Sequence, residues 1–221
     1  MSKIEWTDKT ANPVRGRCPV GCNYCYAEAM RKRFKKSPEI TYHPEVLEAI
    51  ERGKKPATIF MGSAFDLFGK RVKASIHERI STTIDKRADC DFIFLTKNPH
   101  RYIDLDLIND KRVWHGATVD TQKRGKSYDG AWTLFEFISF EPLLEDVAEY
   151  INLWHIQGII IGAQTGPGAV VPKREWVMNL LAKADEYDAK VFIKNNLFEI
   201  YPDLPMRREL LWPLHTKSPG A

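Results

Sequence analysis

The sequence predicts an α/β fold, a partial (β/α) barrel of about six to seven mostly parallel strands. Three observations carry that expectation. Six short runs rich in β-branched and aromatic residues recur roughly 20 to 35 residues apart, as repeated βα units require. Segments of helical period lie between several of them. Each run ends in polar or small residues, as strands do when their carboxyl ends face a ligand site.

Taken in order, residues 1–13 mix Trp6, Asp8 and Asn12-Pro13 without a clear period and read as an N-terminal loop segment. Val14 to Arg17 reads as a very short strand feeding a cysteine-rich loop. From Tyr26 the pattern turns helical, and Tyr26, Met30 and Phe34 form a stripe expected to pack into the core. Arg31 to Lys36 holds five cations in six residues, which reads as a solvated helix face, with a phosphate-binding patch as the alternative. A second helix starts at Pro44, with Val46, Leu47 and Ile50 on one face and Gly53 as its stop. The strand runs are Ala57–Met61, Phe92–Leu95, Val113–Val119, Phe135–Phe140, Gly158–Ile161 and Lys190–Ile193. Helices are expected around Val72, Ile76, Ile80 and Ile84, around Val147, Tyr150, Ile151 and Trp154, and around Trp176, Val177, Leu180, Leu181 and Ala184. Asp104 to Asp110 is a short connector. Gln122 to Gly130, polar and with two glycines, reads as a surface loop. No linker divides the chain, so residues 1–221 are expected to be a single domain with a flexible tail at 216–221.

The 221 residues are 43% hydrophobic, enough for one substantial core. The net charge of +4 permits an anionic partner without requiring one. No run reaches the length of a membrane span and the N-terminus has no signal-peptide core, so a cytoplasmic protein with no membrane partner is expected. Of the 4 cysteines, three are spaced Cys-x3-Cys-x2-Cys at Cys18, Cys22 and Cys25, which is no disulfide framework. Three thiolates are one short of a closed tetrahedral site, which suggests a metal centre with one open position. Cys90 stands just before a strand, at the end away from the expected site, and reads as a small packed thiol.

The strand-end residues are candidates as a set. Gly62, Ser63 and Asp66 follow the first run, and Thr96 and Lys97 the second. Thr118 and Asp120 close the third, Glu141 the fourth, Gly162 and Gln164 the fifth, and Lys194 the last. Together they form a rim of hydrogen-bonding groups suited to holding a polar cofactor over a metal centre. Lys97 and Lys194 are candidate substrate or cofactor contacts, or partners in salt bridges.

Cys18, Cys22, Tyr24 and Cys25 resemble the signature of the radical S-adenosylmethionine (SAM) superfamily, Cys-x3-Cys-x-aromatic-Cys. Nearly the whole chain is similar to a radical-SAM-like three-Cys-motif family found in phages and bacteria. The matching stretches include Ile4–Asp8, Cys22–Glu28, Asp66–Phe68, Leu95–Lys97, Phe140–Leu144, Gly166–Ala169 and Phe192–Lys194. The resemblance implies a 4Fe-4S cluster on Cys18, Cys22 and Cys25, with SAM on the fourth iron. It places Tyr24 near the cofactor's adenine, and Gly62-Ser63 where a Gly-Gly-Glu-type motif usually holds the SAM amino group. The acid of that motif is missing here. It sets Thr118, Asp120 and Glu141 at ends that bind ribose or methionine, and Gly162 to Gln164 where backbone contacts adenine. It further implies a small electron donor such as flavodoxin or ferredoxin, and cleavage of SAM to a radical that abstracts hydrogen from a substrate. DNA, RNA or a nucleotide is the candidate substrate, with Trp6, Tyr26 and Tyr42 as stacking groups. The competing reading is a non-catalytic nucleic-acid- or protein-binding module around structural zinc or an iron-sulfur site, with His43 as a fourth ligand.

Overall fold

The computed structural model describes residues 4–104, 110–166 and 168–215. Its strands in chain order are β1 (Lys9–Ala11), β2 (Val14–Arg15), β3 (Thr41–Tyr42), β4 (Thr58–Met61), β5 (Asp91–Thr96), β6 (Val113–Thr118), β7 (Phe137–Phe140), β8 (Gly158–Ile161) and β9 (Lys190–Ile193). Seven of them form one sheet in the order β1-β4-β5-β6-β7-β8-β9. Every pair in it is parallel. All six apolar runs read from the sequence are therefore strands, in a sheet consistent with a partial barrel. β2 and β3 pair antiparallel as a separate ribbon.

Period-2 alternation gives the sheet two different faces. Phe60, Ile93, Phe137, Ile160 and Phe192 point inward and pack with Trp6 and Trp212. Ile59, Met61, Phe92, Phe94, Ile138, Ile161, Val191 and Ile193 point outward under the helices. The helices are α1 (Tyr26–Arg33), α2 (Pro44–Glu51), α3 (Ala74–Asp85), α4 (Gln122–Lys126), α5 (Arg174–Glu186) and α6 (Asn195–Phe198). In α3 the residues Ile76, Ile80 and Ile84 are buried, as are Val177, Leu180, Leu181 and Ala184 in α5.

Four expectations are corrected. Residues 1–13 are not only a loop: Lys9–Ala11 forms β1, an edge strand pairing with Ile59–Met61. Its three residues are too few to show a period. Tyr26, Met30 and Phe34 are 59%, 47% and 56% exposed, and α1 buries no residue. The stripe exists, but no element among the described residues covers it. Gln122–Gly130 contains α4, N-capped by the Thr121 hydroxyl, and Tyr128 within it is buried with its hydroxyl donating to the Thr118 carbonyl at 2.7 Å. One buried aromatic anchors this polar segment. Around Val147 to Trp154 only a 3-10 turn forms, Ala148–Tyr150, and Trp154 is exposed. Residues 105–109 of the Asp104–Asp110 connector and the tail at 216–221 lie outside the described residues.

The C-terminal segment crosses the lower, amino-terminal mouth of the sheet. The Ile193 amide donates to the Arg207 carbonyl and the Glu209 amide to the Val191 carbonyl, both at 2.9 Å, along the β9 edge. Trp212 then fills the interior, its indole N–H donating to the Trp6 carbonyl at 2.8 Å. At the far edge the His215 amide donates to Asp8 at 2.9 Å, and the Thr58 hydroxyl donates to the Pro213 carbonyl.

Candidate active site

Residues 18–25 form a loop that lies against the carboxyl ends of the strands. Its three thiols are free, part-buried, and line one cleft of about 330 Å³. Cys25 also N-caps α1, its Sγ accepting from the Glu28 amide at 3.4 Å, and Arg31, Lys32 and Arg33 occupy the last turn, where cations suit the helix dipole. Burial pushes the Cys18 thiol up from its ordinary value, and hydrogen bonds from the Asp66 and Val20 backbone offset part of that rise. Among the described residues no three His, Cys, Asp or Glu side chains converge as a ready metal-ligand group. His43 does not line the cleft; its ring contacts Thr41 at 2.9 Å and Glu45 at 2.8 Å. Cys90 is buried beside Arg87, at the amino end of β5 and away from the cleft.

The opposite wall follows from strand parity. Gly62, Lys97, Thr118, Glu141 and Lys194 continue the inward face of β4, β5, β6, β7 and β9 above the aromatic layer, and all line the cleft with Tyr24, Ser63 and Gln164. Trp6, Phe60 and Leu95 form its apolar floor. Trp6 is 1% exposed and cannot be a surface stacking group, whereas Tyr26 stands exposed at the rim.

Asp120 and Gly162 stand behind this lining. Asp120 is 2% exposed and its carboxylate is fully engaged. The Tyr24 hydroxyl donates to it, Arg124 Nε donates to it at 3.0 Å, and Lys97 Nζ lies 4.0 Å away. Burial pushes the Asp120 carboxyl up, but Arg124, Lys97 and Tyr24 more than offset this and leave it below the ordinary 3.8. Burial and the Asp120 charge push the Tyr24 phenol far up, so it remains a donor. Asp120 thus ties the cysteine loop to β6 and α4. Arg124, in a segment that looks like open loop in sequence, is a partner that pattern alone misses.

A second polar group joins the ends of β7 and β9. Lys194 Nζ lies 2.8 Å from Glu141 Oε1, while the Trp6 indole and the Ser139 hydroxyl donate to Oε2, both at 3.3 Å. Burial pulls the Lys194 ammonium down, but Glu141 more than compensates and leaves it raised. Glu141 Oε1 is buried and has no aligned hydrogen-bond donor, only the Lys194 charge facing it. Gly162 makes room for this pair: a Cβ there would lie 2.9 Å from both Glu141 Oε1 and Lys194 Cδ.

The third wall is the turn after β4. Gly62 has φ of +81°, and a Cβ would meet the Phe65 carbonyl at 2.7 Å, so glycine is required. Asn12 accepts from the Ala64 amide at 2.8 Å and donates to Ser63 Oγ at 3.0 Å, and Tyr26 donates to the Ser63 carbonyl at 3.1 Å. Asp66 joins this turn to the next strand end, accepting from the Thr96 hydroxyl at 2.8 Å and the Lys97 amide at 2.9 Å. Asn12 has no sequence signal beyond its Asn-Pro turn.

No helix among the described residues is long and apolar enough to cross a membrane. No curated protein matches the chain significantly. A solved structure described as a mutant of spore photoproduct lyase shares the fold, with a TM-score of 0.55 at 13% sequence identity, covering 84% of this chain and 76% of that one. A profile of the family described as "Protein of unknown function (DUF5131)" matches residues 1–197, most of the chain, and on that match the protein belongs to this family.

Proposed function

We propose that the chain is a radical SAM enzyme of the three-Cys-motif type. The observation that carries this is the placement of Cys18, Cys22 and Cys25, three free thiols without a fourth ligand among the described residues, on one cleft at the carboxyl ends of a parallel sheet. The fold shared with a lyase of the radical SAM class supports it. Three cysteine thiolates are the donor number and type that a cluster with one open iron takes, and the loop would have to draw the three sulfurs together to hold it. When bound, the cluster and SAM supply a 5′-deoxyadenosyl radical able to abstract hydrogen; that chemistry belongs to the cofactor.

The chain's own residues hold, orient and exclude. Tyr24, fixed by Asp120, offers an aromatic face beside the cysteines. Lys97 and Lys194 line the cleft as halves of two ion pairs, facing Asp120 at 4.0 Å and Glu141 at 2.8 Å, and so present polar pairs rather than free charge to a ligand. The turn at Gly62 and Ser63 brings backbone close, and the floor of Trp6, Phe60 and Leu95 keeps water from the reacting volume. On the substrate side, exposed Tyr26, Met30 and Phe34 lie among the cations of Arg31 to Lys36. Aromatic faces interleaved with cations favour a nucleic-acid strand or nucleotide as substrate.

Anaerobic reconstitution tests the reading. A broad cluster absorbance, SAM binding and release of 5′-deoxyadenosine after dithionite are expected, with all three lost on replacing any of the three cysteines by Ala. Tight stoichiometric zinc without SAM binding would sink it. Loss of affinity for single-stranded oligonucleotides at low salt in the Lys35→Glu, Lys36→Glu variant is expected from the substrate assignment, and wild-type protein with no such affinity refutes it.

A further inference from the structure

Four charged side chains from distant parts of the chain, Glu5, Glu141, Lys194 and Arg208, meet at the edge of the cleft. Arg208, on the C-terminal segment, lies 2.8 Å from Glu5, and its guanidinium also donates to the Ile193 carbonyl at 2.7 Å and to Asn195 Oδ1 at 3.0 Å. The guanidinium carbon sits over the Phe192 ring, 4.3 Å from its centroid. Glu5 accepts in addition from the Asn195 amide at 3.0 Å. Each of these groups has a cleft residue as its neighbour in the chain. Trp6 follows Glu5 and donates its indole N–H to Glu141 Oε2 at 3.3 Å, while Lys194 precedes Asn195 and holds Glu141 Oε1 at 2.8 Å. The contacts close into a ring that runs from Arg208 through Glu5 and Trp6 to Glu141, and back through Lys194 and Asn195. Arg208 itself does not line the cleft, and it lies beyond the residues 1–197 that the family profile matches.

Two anions and two cations make the ring neutral, but only while each keeps its own partner. The side chains of Glu5 and Arg208 are 17% and 12% exposed, so the loss of either leaves a largely desolvated charge behind. The Glu5 charge also reaches Lys194: burial pulls that ammonium down, and Glu141 and then Glu5 push it up to a net rise. Without Arg208, Glu5 keeps only the Asn195 amide and competes with Glu141 for Lys194. We infer that Arg208 is a positioning residue for the cleft: by neutralising Glu5 it leaves Lys194 to Glu141 and fixes the Trp6 indole on the other oxygen of the same carboxylate. The inference rests on the cleft being the active site, and not on which cofactor fills it. Its consequence is the charge that a ligand meets. With Arg208 in place the cleft presents a closed Glu141–Lys194 pair; without it Lys194 is shared with Glu5, and the Glu141 carboxylate is bared.

The test follows the Trp6 indole N–H by NMR in the full chain with isotope-labelled tryptophan and no cofactor, the signal being assigned through Trp6→Phe. Arg208→Gln is expected to shift that signal and to speed its exchange with solvent on the order of tenfold, as loss of an aligned acceptor does. Arg208→Lys keeps the charge and should leave the signal near its wild-type position. Glu5→Gln combined with Arg208→Gln removes both charges and should restore it. Arg207→Gln is the control for stability alone, since the Arg207 side chain, on the same segment, pairs with Asp185 and Glu209 instead. In reconstituted protein, affinity for SAM should fall on the order of fivefold in Arg208→Gln and recover in the double variant. A Trp6 signal that stays put in Arg208→Gln, or that moves as far in Arg207→Gln, overturns the inference. An indole shift with unaltered SAM affinity overturns it too, because the ring is then structural only. Wild-type protein that binds no SAM refutes the reading of the activity, and the indole signal of the cofactor-free chain still decides the positioning role.

Discussion

Asp120 stands at the cleft end of β6 without lining the cleft. Strand parity aims it toward the cleft side, yet Tyr24, Arg124 and Lys97 take up its carboxylate before any ligand can. Its depressed pKa has a definite sign. The stabilisation is fully present above the ordinary value of 3.8 and is lost as pH falls through the lower native value. Asp120→Asn is expected to cost about 2 to 3 kcal/mol at neutral pH, less than for a fully buried pair because Arg124 is partly exposed. The same variant should lose less stability than wild type on acidification below the ordinary carboxylate range; urea unfolding across that range measures both. Cys25 carries two roles that substitution can separate. Cys25→Ser keeps an N-cap acceptor and should leave apo stability within about 0.5 kcal/mol, whereas Cys25→Ala should cost about 0.5 to 1 kcal/mol. Both should lose iron, as read by metal analysis after reconstitution.

Among the elements, α1 shows how a helical pattern can mislead. Tyr26, Met30 and Phe34 repeat every four residues, which fixes one helix face, but periodicity does not say what lies opposite that face. Here the first residue of the helix is also the neighbour of a cysteine, so the loop's position dictates where α1 points, and its stripe faces outward. Met30→Gln with Phe34→Ser is therefore expected to shift stability by no more than about 0.5 kcal/mol, against the loss of about 3 to 5 kcal/mol typical of truncating a core aromatic. Thermal unfolding distinguishes the two, and a large loss would show that the stripe is covered. The strands behave oppositely. Runs such as Phe92 to Leu95 are apolar on both faces because helices cover one side and aromatic packing the other, so the composition alone marks them.

For the whole molecule, the open sheet raises the question of what closes its interior. The upper mouth is the polar cleft. The lower mouth is spanned by the segment from Arg207 to His215, which bonds to the β9 edge, inserts Trp212 between Trp6, Trp114 and Phe137, and ends on Asp8, beside β1. Trp212→Ala is expected to cost about 3 to 5 kcal/mol, and since it removes the packing beneath Trp6, a weaker affinity for SAM should accompany it. Calorimetry of the stability loss and equilibrium binding of SAM to the reconstituted variant check the two effects; normal stability would mean that the strap is dispensable.

The sequence by itself determined the six strands β4 to β9, most of the longer helices, the three-cysteine loop and the polar residues at the strand ends. Each of these is written in local pattern: β-branched runs, helical period, cysteine spacing and the residue type that follows each strand. Only the tertiary structure decided that β1 exists, that α4 is anchored through Tyr128, that Asp120 is occupied by Arg124 and Tyr24, and that the C-terminal segment bridges the two edges of the sheet. It also decided that Cys18, Cys22 and Cys25 share one cleft of about 330 Å³ with the strand ends. These features rest on contacts between residues far apart in the chain, and no local pattern encodes which partner a side chain will meet.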